Sequence, residues 1–228
     1  FAVYLSLRGA VIPVVTSDAV PLPTAVRLAV HSGSVPGVAG AAARPWGAAA
    51  GDVVVVGGGR VALPGLDVVA ARTWRPSRVR RDSLSHRVEC GSGCQGDHFR
   101  THAQAAAALR GRGTGDESTW LADGIRAAVP RECGSGCQND HFRTRRETEV
   151  AVAGLVGRGA GLTPAGDDAL AGALLVAHAL GTGTALSDAV RARLGATTAV
   201  SAALLDAAAG GYAARPVVTL VDAAVAGD

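Results

Sequence analysis

Apolar positions in the first third of the chain fall in short β-branched runs: YLSL, AVIPVVTS, TAVRLAV, DVVVVGGGRVAL and LDVVAARTW, cut by Gly, Pro and Asp. Runs of this length predict strands, and a connection as tight as VVGGGRV predicts a hairpin. No helical periodicity separates most of them, so residues 1–76 are expected to pair antiparallel, in a sandwich or barrel-like half. The pattern changes after residue 150. DDALAGALLVAHAL places Leu170, Leu174 and Ala177 at helical spacing, and SDAVRARLG opens on a Ser-Asp cap signal. TAVSAALLDAAAGG reads as a helix closed by Gly210 and Gly211, and RPVVTLVDAAVAGD as a last helix. The fold class predicted is therefore α+β, with an N-terminal antiparallel β-rich half and a C-terminal helical half.

Between them, residues 77–150 carry neither period. RPSRVRRDSLSHR reads as a charged, solvated linker, and a duplication follows it: ECGSGCQGDHFRT at 89–101 returns as ECGSGCQNDHFRT at 132–144. Two copies are too few for a solenoid. The expected organisation is a β-rich domain over 1–76, an irregular Arg/Cys/His linker with the duplicated segment over 77–150, and a helical domain over 151–228. VVVVGGGR could pass for the start of a dinucleotide-binding fold. However, RVALPGLDVV after Gly59 is another strand pair, where that fold needs an amphipathic helix.

Composition narrows this picture. Aromatic residues make up 4% of the chain, so the core must be built from Ala, Val and Leu. All 22 basic residues are Arg and Met is absent, which fits a high-GC coding bias and cautions against reading much into a single Arg. A net charge of +3 is small for 228 residues, and no basic stripe marks a nucleic-acid binder. No apolar run reaches the ~18 residues of a membrane span, and no signal peptide is visible, so a cytoplasmic protein is expected. The chain opens on Phe1 rather than Met, so a natural N-terminus is expected to lie upstream.

One stretch exceeds what fold-building requires. GRGAGLTPAGDDALAG, residues 157–172, sets a run of glycines, a Thr-Pro step and two adjacent aspartates before a helical pattern. Thr163 can cap that helix with Pro164 at its first position, and Asp167 and Asp168 then meet the positive end of the helix dipole. Asp167 shares a face with Leu170, Ala171 and Leu174, so its carboxylate lies on the apolar stripe, where a charge is expensive unless paired or used. Asp168 falls one step round, nearer solvent. Two readings stay open: a well-capped helix, or a ligand site. In the second, the amides of Gly159 and Gly161 approach an anion, Arg158 supplies charge, and Asp167 orients an amide-bearing group. His178, eleven residues and ~16 Å beyond Asp167 along the axis, reads as a core-edge histidine.

This stretch, with ATTAVSAALLDAAAGGY and VVTLVDAAVAGD after it, resembles a bacterial family that includes the AllH-type subunit of oxamate carbamoyltransferase. The family's Gly-x-Gly-x-Gly-Leu-Thr-Pro-Ser-Gly-Asp-Asp string falls on Gly157, Gly159, Gly161, Leu162, Thr163, Pro164, Gly166, Asp167 and Asp168. Its later Thr-x-x-Ser helix and Gly-terminated segment fall on Thr198, Ser201 and Gly210. The motif serine is Ala165 here, so a hydroxyl role at that place is lost. The family usually continues into another Gly-rich segment containing Ser-Gly, and this chain stops at Asp228 without it. The resemblance implies carbamoyl transfer, the phosphorolysis of oxalurate to oxamate and carbamoyl phosphate, carried out with other subunits of a complex on a small anionic substrate. It also implies roles for Asp167, Asp168 and Arg158 in catalysis, and for Gly157, Gly159, Gly161, Thr163, Gly166, Thr198 and Ser201 in ligand binding. Catalysis of that kind rests on positioning and charge rather than a covalent nucleophile.

The duplicated segment suggests separate chemistry. Cys90, Cys94, His98 and His102 recur every four residues, and Cys133, Cys137 and His141 repeat the pattern with Arg145 in the fourth place. Two thiolates and two imidazoles suit tetrahedral zinc. A disulfide, or an inert duplicated insertion, accounts for the same residues. A zinc-holding, non-catalytic scaffold subunit is therefore the alternative to a carbamoyltransferase subunit.

Overall fold

The structure, a computed structural model, describes residues 2–37, 44–81 and 138–226, with the backbone alone for 138–144. The chain divides into two compact units, Phe1–Pro76 and Ser77–Asp228.

In the first unit, strand β1 (Ala2–Leu7) pairs antiparallel with β2 (Ala10–Val15). The two-residue connection is Arg8–Gly9, both with positive φ (48° and 85°), the left-handed pair that matches strand twist in a tight hairpin. β3 (Val26–Arg27) lies parallel to β2, Val14 opposite Val26, a departure from the antiparallel pairing expected throughout. A second sheet is an antiparallel meander of β4 (Val55–Gly57), β5 (Arg60–Leu63) and β6 (Leu66–Val69). Gly58 and Gly59 make the hairpin turn predicted from VVGGGRV, and β6 follows β5 with no helix between, as the rejection of a dinucleotide fold required. One apolar cluster joins the two sheets: Leu5, Val14, Leu28, Val35, Trp46, Val61 and Leu63. Trp46 packs there from a left-handed backbone (φ 54°), and Gly65 is needed beside it because a Cβ would stand 2.3 Å from the Trp46 carbonyl oxygen. Trp74 is anchored by its indole N–H, which donates to the Ala25 carbonyl at 3.1 Å. Trp120, the third tryptophan of the chain, lies outside the described residues.

The second unit is helical. It comprises α1 (Gln138–Leu155), α2 (Ala165–Ala179), α3 (Thr184–Arg191), α4 (Ala199–Ala209) and α5 (Arg215–Ala226). Thr148, Val152 and Leu155 on α1, Leu170, Leu174 and Ala177 on α2, and Leu205 and Ala208 on α4 are buried at helical spacing. With so few aromatics available, the helices close on leucine, valine and alanine alone. α1 begins at Gln138, inside what sequence marked as irregular, since QNDHFRTRRETEV lacks a clear apolar stripe. α3 begins at Thr184 rather than at the Ser-Asp signal: Ser187 is an interior helical residue, nearly buried.

Residues 77–81, read as the start of a solvated linker, are instead part of this unit. β7 (Ser77–Arg78) pairs with β8 (Tyr212–Ala213), and Val79 is 3% exposed in the helical core. The alternation of arginines with Val79 hides a strand with one inward side chain. Among the described residues no helix is long and apolar enough to cross a membrane.

Candidate functional site

The motif 157–168 forms the turn between α1 and α2. Its glycines answer to protein backbone first. Gly157 (φ 72°) would drive a Cβ to 2.6 Å from the Ala196 carbonyl oxygen. Gly159 (φ 122°) would meet the Ala165 nitrogen at 2.7 Å, and Gly166 would meet the Leu155 carbonyl oxygen at 2.0 Å. Three of the motif glycines therefore let the end of α1, the loop at 196 and the start of α2 touch through bare backbone. Gly161 (φ 93°) is different: a Cβ there has nothing within 4 Å, so its exposed side is open.

Pro164 is the residue flanking α2, with no side-chain cap, so Thr163 does not serve as the cap the sequence suggested. The first amides are met by main chain. Gly166 donates to the Arg158 carbonyl at 2.9 Å, and Asp167 and Asp168 donate to the Pro164 carbonyl. Arg158 itself is exposed.

Asp167 is 1% exposed and both its oxygens are used. The Gly157 amide donates to Oδ1 at 2.8 Å, and the Thr197 hydroxyl donates to Oδ2 in a short hydrogen bond. The next residue on, the Thr198 hydroxyl, donates to the Leu162 carbonyl and accepts from the Ser201 amide at 3.1 Å, capping α4. The turn 157–168 and the loop 196–201 are thus one unit, laced by a buried carboxylate and two threonines. That lacing gives the Thr-x-x-Ser segment a structural reason to accompany the glycine string. Ser201 is itself buried, at 1% exposure. Thr197 escaped the sequence reading, which singled out Thr198 and Ser201; the signal was the Thr-Thr pair at a helix entrance, since two adjacent hydroxyls can serve two partners.

Asp168 has the opposite setting. It is exposed, and among the described residues it has no hydrogen-bond or ion-pair partner. Desolvation first, and the neighbouring Asp167 carboxylate second, push its carboxyl above the usual range. Within the same motif, Leu162 stands 57% exposed. Gly159 and Gly161 have no hydrogen-bond partner for their amides among the described residues.

Cys90, Cys94, His98 and His102, with Cys133 and Cys137, lie outside the described residues, as does the side chain of His141. Among the described residues no group of three or more His, Cys, Asp or Glu is placed to hold a metal.

In class, this is an α+β protein whose helical unit presents a glycine-built turn, braced from beneath by a buried aspartate and bearing an exposed one. Residues 155–228 match the family model of oxamate carbamoyltransferase subunit AllH, the same family that the glycine motif resembles. No curated protein and no solved structure matches the chain.

Proposed function

We propose that the chain is a subunit of an oxamate carbamoyltransferase-related complex and that its glycine turn takes a small anionic amide or phosphate ligand. The observation that carries this reading is the contrast between the two aspartates. Asp167 is consumed in holding the turn together, so Asp168 is the carboxyl left to meet an NH₂ group. Beside a second carboxylate, and with no hydrogen-bond or ion-pair partner among the described residues, Asp168 gains from the fold only the helix dipole, while its neighbour and desolvation disfavour its charge. The open amides at Gly159 and Gly161, with the exposed Arg158 nearby, suit the negative end of the same ligand. Asp167 then acts as a positioning residue and Asp168 as the group that touches substrate. Other subunits of the complex complete the site and supply the remaining chemistry.

Thermal melting tests this. Carbamoyl phosphate at a hundredfold excess over its dissociation constant should stabilise the folded chain by about 2.7 kcal/mol, a rise of roughly 5–10 °C at this size. Asp168→Asn should remove the rise while leaving the unliganded melting temperature unchanged or higher. An undiminished rise in Asp168→Asn, or no response of the wild-type chain to carbamoyl phosphate, oxamate or phosphate, overturns the proposal.

A further inference from the structure

At the end of the helical unit away from the glycine turn, His178 closes the last turn of α2 and is 7% exposed. Its ring lies so close to the Gly211 backbone that a Cβ on Gly211 would stand 2.4 Å from it, and Gly211 takes the positive φ (82°) this approach demands. The stretch Gly210–Tyr212 that covers the imidazole is also what β7 grips. The Val79 amide donates to the Gly211 carbonyl at 2.9 Å, and Arg78 Nε donates to the Gly210 carbonyl at 3.0 Å. The Arg78 guanidinium also lies over the Tyr212 ring, 5.1 Å from its centre. The Arg80 amide completes the attachment by donating to Asp222 on α5 at 3.0 Å.

We propose that His178 is a proton-operated latch on residues 77–81, the segment that opens the helical unit and begins with β7. The charged groups that bear on the ring are Arg78 and Arg81, both from that segment. From α4 the ring meets the Ala209 carbonyl, a neutral acceptor for one imidazole N–H, and from β8 the phenol Tyr212 stands over Arg78. The neutral ring fits this setting. A proton on it places an imidazolium in a desolvated site beside two guanidiniums, and the acceptor carbonyl offsets only part of that cost. The arginines cannot give up their charge, so relief comes from moving the segment that carries them. Burial and the two arginines hold the His178 pKa below its ordinary value, consistent with a latch closed at neutral pH.

The sign of the effect follows from linkage. The released state binds the extra proton, so release grows as pH falls from about 6.5 towards the latched pKa, by at most tenfold per pH unit for one proton. The test is hydrogen exchange of the Val79 amide between pH 7.5 and 5, corrected to protection factors, in the full chain and in His178→Gln. Protection in the wild type should fall severalfold or more over that range and stay flat in His178→Gln. Flat protection in the wild type, or the same fall in His178→Gln, overturns the latch. An NMR titration of the wild-type imidazole serves if that variant does not fold: its midpoint must coincide with the loss of Val79 protection, and separate midpoints refute the proposal.

Discussion

Replacing Asp167 by alanine removes one acceptor group but strands two donors, the Gly157 amide and the Thr197 hydroxyl. Both donors are half-buried, so leaving each unpaired costs at most about 1–3 kcal/mol, and the substitution should destabilise the chain by up to roughly 2–6 kcal/mol. For a chain of this size that is a fall in melting temperature of about 5–20 °C. Asp167→Asn should cost less, about 1–2 kcal/mol: its oxygen can still accept from Gly157, and the Thr197 hydroxyl can rotate to accept from its NH₂. Thr197→Val isolates the other half of the contact. In a double-mutant cycle the Asp167 and Thr197 substitutions should couple by at least ~1 kcal/mol, because each alone leaves a buried group of the other unsatisfied. Urea unfolding of the wild type and these variants supplies the free energies. Additive losses, or an alanine variant within ~0.5 kcal/mol of wild type, would show that the carboxylate does not brace the turn.

Three further outcomes are expected. Gly166→Ala forces a Cβ against the Leu155 carbonyl and should cost about 3 kcal/mol, whereas Gly161→Ala, with open space and only its positive φ against it, should cost about 1–2; equal losses in urea midpoints would contradict the described turn. The raised pKa of Asp168 means the folded chain keeps a proton that the unfolded chain has already lost, so its stability contribution falls as pH rises from about 3.8 through the folded value. Melting temperatures of Asp168→Asn should therefore exceed wild type at neutral pH, with the gap set by this linkage narrowing towards acid; a gap of opposite sign refutes the cause assigned to the shift. Thr198→Ala removes a helix cap and should cost about 1 kcal/mol, read from the same urea curves.

Much of this architecture was legible in the residues, for reasons that differ from place to place. Hairpins at Arg8–Gly9 and Gly58–Gly59 are local events, settled by turn residues between alternating runs. α4 was marked at both ends, by Thr198 before it and Gly210–Gly211 after it. Asp167 could be placed on the buried stripe by helical spacing alone, and it is there. What spacing cannot deliver is the partner across the fold. Nothing local ties Gly157 to Ala196, or Thr197 to Asp167, and so the close backbone approaches at Gly157, Gly159 and Gly166 could not be read from spacing. The parallel β2–β3 pair and strand β7 were missed for the same reason: each is defined by a neighbour distant in sequence, not by its own pattern.

The bridge from Thr197 and Thr198 to the glycine loop has a practical corollary for anyone borrowing this element. Residues 157–168 are not a portable cassette. Grafted alone onto another helix, they would carry a bare buried carboxylate and an unsupported Leu162 carbonyl, so a transplant must bring 196–201 with it. By the same token, drift in either segment is tolerable only when the other changes in step.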